Sequence, residues 1–217
     1  MSALNSNILE KHQYLEPTGR EEKWRFTPLK RLAGLHLRST EVSSSLSTIL
    51  DDSSLGVNEG FKIKVVPSSE LPPRSISDDA IVARVRETVT QSTLVEIAAN
   101  AEVAEPIKLK RDNLGKAQFS RTVIHAKNHS RATVIVESFG RATLGEEIEM
   151  IIEPGAKLTF ISLQEWDSET VHLGRHHAIV GRDSEFNSIM VSVGGSLVRL
   201  LPSVEYDGPG GSANLMG

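Results

Sequence analysis

The chain has 217 residues, 24 Lys and Arg against 28 Asp and Glu, a formal net charge of -4 and no cysteine. The length allows a buried core, as one domain or as a small domain plus a larger one. Mild acidity argues against a dedicated nucleic-acid binder, and the lack of cysteine excludes disulfides, a cysteine nucleophile and cysteine-ligated clusters within this chain. No apolar run approaches the roughly 20 residues of a membrane span, and MSALNSNILEKHQYLE at the start lacks the form of a signal peptide. A cytoplasmic protein is therefore expected.

Short helix-compatible stretches run from Ile8 to Leu15 and from Glu21 to Leu32. In the second, Glu21 and Glu22 favour a helix start and Lys30 and Arg31 its end, while Pro28 breaks or offsets it. Residues 39 to 56 are rich in Ser and Thr and read as loop. Phe61 to Val66 alternates like a strand. Residues 67 to 75 hold three prolines and read as a connection. Ile76 to Val89 reads as a helix, capped by Ser77, with Ile81, Val82 and Val85 as its apolar stripe.

From Thr93 onward the chain turns into short runs rich in Ile, Val, Thr and Phe. They are Thr93 to Ala98, Ile107 to Lys110, Arg121 to Ala126, Ala132 to Glu137, Glu147 to Ile152, Lys157 to Leu163, His176 to Val180, Glu185 to Val193 and Leu197 to Val204. No helix-length stretch separates them, which argues against βαβ units. A polar or glycine turn, a small residue and alternating apolar positions recur. Aligned on Ala132, Ala156, Ser184 and Ala213, the spacings are 24, 28 and 29 residues. That period points to a parallel β-helix. An antiparallel sandwich of short strands is the alternative.

Two motif blocks resemble the SufB/SufD family, especially its SufD branch. The first is Gly19-Arg20-Glu21-Glu22-Lys23-Trp24-Arg25-Phe26-Thr27-Pro28-Leu29. The second runs from Gly155-Ala156-Lys157-Leu158 through Gln164-Glu165-Trp166, Val171-His172-Leu173, His176-His177-Ala178 and Val180-Gly181-Arg182-Asp183. It continues through Gly194-Gly195 and Arg199 to Gly208-Pro209-Gly210-Gly211.

The resemblance implies a right-handed parallel β-helix behind a small helical or mixed α/β N-terminal domain, with residues 1–90 as that domain and 91–217 as the first coils of the core. It implies a non-catalytic scaffold subunit of the SUF iron-sulfur cluster assembly complex, partnered by SufB-like and SufC-like proteins. The partner ATPase would hydrolyse nucleotide, and a transient iron-sulfur cluster would form in the complete complex, with no cofactor bound by this chain. Family members are usually much longer, so the chain reads as an N-terminal piece lacking the C-terminal region. A solenoid cut between coils is expected to self-associate end to end or to have a disordered C-terminus.

His172, His176 and His177 are the most conspicuous cluster, with Asp167 and Glu169 nearby. His is a common metal ligand, but on a strand His176 and His177 point to opposite faces. His172 and His176 share a face only if the interval is extended, which Gly174 puts in doubt. Trp166, beside Gln164 and Glu165, suits packing against a neighbouring coil. Trp24 and Phe26 share a face only in extended structure. Arg20, Lys23, Arg25, Lys30 and Arg31 form a basic run interrupted by Glu21 and Glu22, read as a solvated face. His125, Lys127 and His129 fall on one face if their strand continues, and Arg131 joins them only without an intervening turn. Gly194-Gly195 and Gly208-Pro209-Gly210-Gly211 lack the phosphate-loop ending and read as turns between coils. Asp51-Asp52 has no evident partner. The sequence thus assigns no catalytic residue, no metal ligand and no cofactor contact. A metal-binding or carbohydrate-active β-helix and a general protein-interaction solenoid are the alternatives to the SUF reading.

Overall fold

The computed structural model describes residues 15–43, 56–58, 60–71, 73–112, 114 and 117–217. The Ile8 to Leu15 stretch up to residue 14, and Asp51-Asp52, lie outside the described residues.

The core is a parallel β-solenoid of about four turns with two facing sheets. One sheet has the order β1 (Gly56–Asn58), β2 (Phe61–Pro67), β3 (Gln91–Ile97), β5 (Ala117–Ala126), β7 (Thr143–Ile152), β9 (Val171–Gly181) and β11 (Leu197–Asp207). The other runs β4 (Ile107–Asp112), β6 (Arg131–Gly140), β8 (Lys157–Trp166), β10 (Glu185–Gly194) and β12 (Ser212–Met216). Every pairing within the coils is parallel, which excludes the antiparallel sandwich. Among the described residues only β1–β2 and β2–β3 are antiparallel, at the start of the solenoid.

In-register parallel pairing stacks like on like. Val95, Ile124, Met150 and Ala178 form one inward row of the larger sheet, and Ala132, Leu158 and Phe186 form one of the smaller. All seven are buried in one apolar cluster. At about 25 cal/mol per Å² of apolar surface removed from water, such rows dominate the stabilisation.

The repeat is real but its alignment shifts. The register places Ser130, not Ala132, beside Ala156, and Gly211, not Ala213, beside Ser184. The shift is two residues at each place, so it preserves the inward and outward faces. Each coil turns at one corner through a residue with positive φ: Asn100, His129, Gly155, Asp183 and Gly210. The N–H groups of the first four donate to the carbonyls of Asn128, Pro154, Arg182 and Pro209 in the following coil, at 2.9 to 3.1 Å.

The N-terminal residues lie over the outer face of the larger sheet. Glu21 to Leu32 does not form the expected helix. It makes two 3-10 turns, Glu22–Trp24 and Leu29–Arg31, with Pro28 capping the second. The helix α1 spans Ala80–Thr88, shorter than expected. Asp79 caps it rather than Ser77, its Oδ1 accepting from the N–H groups of Ile81 at 2.9 Å and Val82 at 3.2 Å. Ile81 and Val85 pack with Trp24, Leu32, Leu35, Phe119, Val171 and Leu173. The last strand, β12, pairs in parallel with β10 from Ser212 to Met216.

Candidate functional site

The strand β7 carries Glu146, Glu147 and Glu149, all buried. Alternation sends Glu146 into the solenoid with Leu144, Ile148 and Met150, and Glu147 and Glu149 to the outer face. That face is covered by α1 and by residues 73–79, so both faces of the sheet are buried at β5, β7 and β9, as is usual for parallel sheets.

Inside, Arg111 from β4 reaches across to pair with Glu146 through Nη1. His172 Nε2 lies 2.8 Å and His176 Nε2 3.1 Å from Glu146 Oε1. His172 Nδ1 lies 3.2 Å from Gln164 Oε1, which also accepts from Trp166 Nε1 at 3.1 Å. Gln164 Nε2 donates to Ser162 Oγ at 2.9 Å. Burial raises the cost of the Glu146 charge, but Arg111 and the two histidines outweigh it and hold the carboxyl well below the usual carboxylate range. Gly174 makes room for this carboxylate: a Cβ there would sit 2.9 Å from Glu146 Cγ.

His172 and His176 do therefore share the inward face, since β9 is extended through Gly174. The doubt about that interval is overturned, because Gly174 serves to clear space and not to bend the strand. His177 points outward, as alternation requires, yet it too is buried. Its Nδ1 pairs with Ser203 Oγ at 2.8 Å. Burial, helped by the Arg175 charge, lowers its pKa to about 4.

On the outer face Glu147 accepts from Arg86 Nε at 2.9 Å, with Arg121 and Arg175 also beside it. Glu149 accepts from the N–H groups of Arg74 at 3.0 Å and Ser75 at 3.1 Å, and from Ser75 Oγ at 3.1 Å. Ser75 Oγ also accepts from Arg175 at 2.9 Å. Arg199 pairs with Asp79 at 2.9 Å and lies 4.2 Å from the Trp24 ring. Ions bury the seam between the N-terminal layer and the solenoid.

The other sequence candidates stand apart. Asp167 and Glu169 lie in an exposed turn, where Glu169 pairs with Arg141. Trp166 faces inward against Leu114, Ala142 and Leu144, edge-on to His172. Trp24 is 4% exposed in the N-terminal core, whereas Phe26 is 88% exposed, so they do not share an environment. His125 pairs with Glu153, Lys127 with Glu96, and the turn at 127–130 separates them from Arg131. Gly194 and Gly195 both have positive φ at a turn.

Sequence reasoning missed Arg111, Arg121, Arg175 and the three glutamates. The signal was present: carboxylates at both parities of one apolar strand cannot all reach water. Among the described residues no group of three or more His, Cys, Asp or Glu is arranged to hold a metal ion. Glu146 is engaged by Arg111 on one oxygen and by two imidazoles on the other, an ion-pair centre.

Residues 108–217, just over half of the chain, match the family model described as SUF system FeS cluster assembly, SufBD core domain. The chain belongs to the SufBD family. The matched span begins in β4 and takes in Arg111, Glu146, His172 and His176, so the inner ionic centre lies wholly in the SufBD core. An iron-sulfur cluster assembly SufBD family protein of Mycobacterium leprae is 31% identical over 205 residues, covering 93% of this chain and 51% of its own length. Proteins of the same description from Mycobacterium bovis and Mycobacterium tuberculosis are 30% identical over 205 residues. The chain spans about half the length of the curated relatives it matches.

Proposed function

We propose that this SufBD chain is a non-catalytic scaffold component of SUF iron-sulfur cluster assembly, acting in its whole protein with SufB-like and SufC-like partners. The observation that carries the reading is the coincidence of the SufBD core match with the solenoid coils from β4 onward. Rigidity supports it as well, since both faces of β5, β7 and β9 are buried and the outer layer is tied down by ions. Nucleotide hydrolysis belongs to the SufC-like partner, and any cluster is cargo of the complete complex. In this reading residues 1–90 count as the N-terminal domain and 91–217 as the core.

Co-expression of the full-length protein with SufB-like and SufC-like proteins tests this. A co-purifying complex, with ATP hydrolysis lost when the SufC-like subunit is omitted, is the expected result. Failure of the full-length protein to associate with either partner overturns it.

A further inference from the structure

We propose that the hollow between the N-terminal layer and the start of α1 is a docking pocket for a peptide segment of a partner protein, one that presents a large apolar side chain beside lysine or arginine. The site goes beyond the scaffold reading and does not rest on it. The hollow has a volume of about 350 Å³, within the size of pockets that take a ligand group. Pro17 and Trp24 line it from the N-terminal layer, and Ala80 and Ala83 from α1, where their small side chains leave the room. Apolar surface continues over the lip. Leu15, which lines the hollow, is 79% exposed, and Ile76, next in the chain to the lining residue Ser77, is 62% exposed. Outside β10, β11 and β12, the large apolar residues exposed among the described ones are these two, Phe26 and Val65. A small molecule held in the hollow would leave Leu15 and Ile76 wet. A peptide that anchors one side chain in the hollow covers them as well.

Charge chooses the neighbours of that side chain. Glu21, Asp78 and Asp79 line the hollow against one lining cation, Lys23. Lys23 pairs with Asp78, and Arg199 reaches Asp79 at 2.9 Å. Glu21 is held instead by its own N–H, by the N–H and hydroxyl of Thr18 and by the N–H of Gly19, which keep its carboxyl down at about 2. Three carboxylates against two cations leave one negative charge in excess at the mouth. That excess favours a basic residue on the incoming segment and repels an acidic one.

The probe is a blocked pentapeptide with leucine between two lysines and a glycine at each end, titrated into the nitrogen-15-labelled protein and followed by NMR. The chain has two tryptophans, and Trp166, inside the solenoid, is the internal reference. The expected result is a saturable shift of the Trp24 indole N–H signal with the Trp166 signal unmoved. Alanine in place of the peptide's leucine, or glutamate in place of both lysines, is expected to weaken binding by about tenfold or more. Ala83→Leu fills the hollow and is expected to abolish the shift. Asp78→Lys, at an exposed position, reverses the charge of the mouth and is expected to weaken binding about tenfold with the fold intact. It carries the test if Ala83→Leu does not fold. Absence of a saturable Trp24 shift, equal binding of the glutamate peptide, or binding undiminished by Asp78→Lys overturns the proposal. Binding of n-butylamine as tight as that of the peptide marks a small-amine site, and overturns it equally.

Discussion

Glu146 and Glu147 are consecutive residues, each buried, and each gripped by a different guanidinium on opposite faces of one sheet. Glu146 belongs to the interior with Arg111. Glu147 belongs to the seam beneath α1 with Arg86, Arg121 and Arg175. A single strand thereby ties the N-terminal layer to the centre of the solenoid.

Removing one partner of such a cluster leaves the others buried and unpaired. Glu147→Gln is expected to destabilise the protein by about 3–5 kcal/mol, because three guanidinium groups lose their shared carboxylate. Urea unfolding measures it. The Arg121→Met, Glu147→Leu double variant is expected to cost less than the sum of its singles. Additive costs would show that the two residues do not act as a pair.

The pH dependence carries a signature of His177. Burial lowers its folded pKa to about 4, below the ordinary value of 6.5. Between those values the unfolded chain binds the proton more readily, so stability falls as pH drops from 6.5 toward 4. His177→Gln is expected to flatten the stability profile in that window, read from thermal midpoints at each pH. Above pH 7 the variant and the parent should show parallel profiles.

Two glycines are expected to differ in tolerance. Alanine at Gly174 would press on side-chain atoms, Glu146 Cγ at 2.9 Å and Leu200 Cδ2 at 3.0 Å, for a cost of about 1–3 kcal/mol. At Gly194 the new Cβ would lie 1.9 Å from the Trp166 carbonyl oxygen, and φ is +78°. Backbone cannot yield as a side chain can, so Gly194→Ala is expected to cost more than about 3 kcal/mol. Denaturant midpoints of the two variants give the ranking.

The aromatic pair of the N-terminal block separates into two roles. Trp24→Ala removes a buried ring that packs on α1 and takes the Arg199 guanidinium on its face, and is expected to cost about 3–5 kcal/mol. Phe26→Ser, at an exposed position, is expected to change stability by less than about 0.5 kcal/mol. If Phe26 serves a partner, its loss will register in complex formation and not in unfolding.

The coils were legible because their signal is local. Alternation within β6, β8 and β10 and the glycine turns repeat at short range, and the two-residue slip in the repeat left every face where it belonged. The N-terminal layer was less legible, since Pro28 divides a helix-like composition into two short turns and Asp79 outcompetes Ser77 as a cap. The ionic centre was hardly legible at all. Arg111 and Glu146 are 35 residues apart and meet only because facing sheets bring β4 and β7 together. In the sequence, Arg111 stands among exposed-looking lysines and Glu146 reads as a solvated charge. The histidines stand out in the sequence, but Gly174 there only puts the extended interval in doubt, whereas its lack of a side chain makes room for Glu146 beside His172 and His176.

The stacked corner at Asn100, His129, Gly155, Asp183 and Gly210 works as a metronome for the chain. Between β5 and β6, β7 and β8, and β11 and β12 it is crossed by the four residues 127–130, 153–156 and 208–211, and between β9 and β10 by the three residues 182–184. The opposite corner keeps no such time: residues 141–142, 167–170 and 195–196 differ in length from coil to coil. Extra sequence can therefore enter this solenoid at 141–142 or 195–196 as a decoration. The same insertion at 153–156 would throw every later coil out of step.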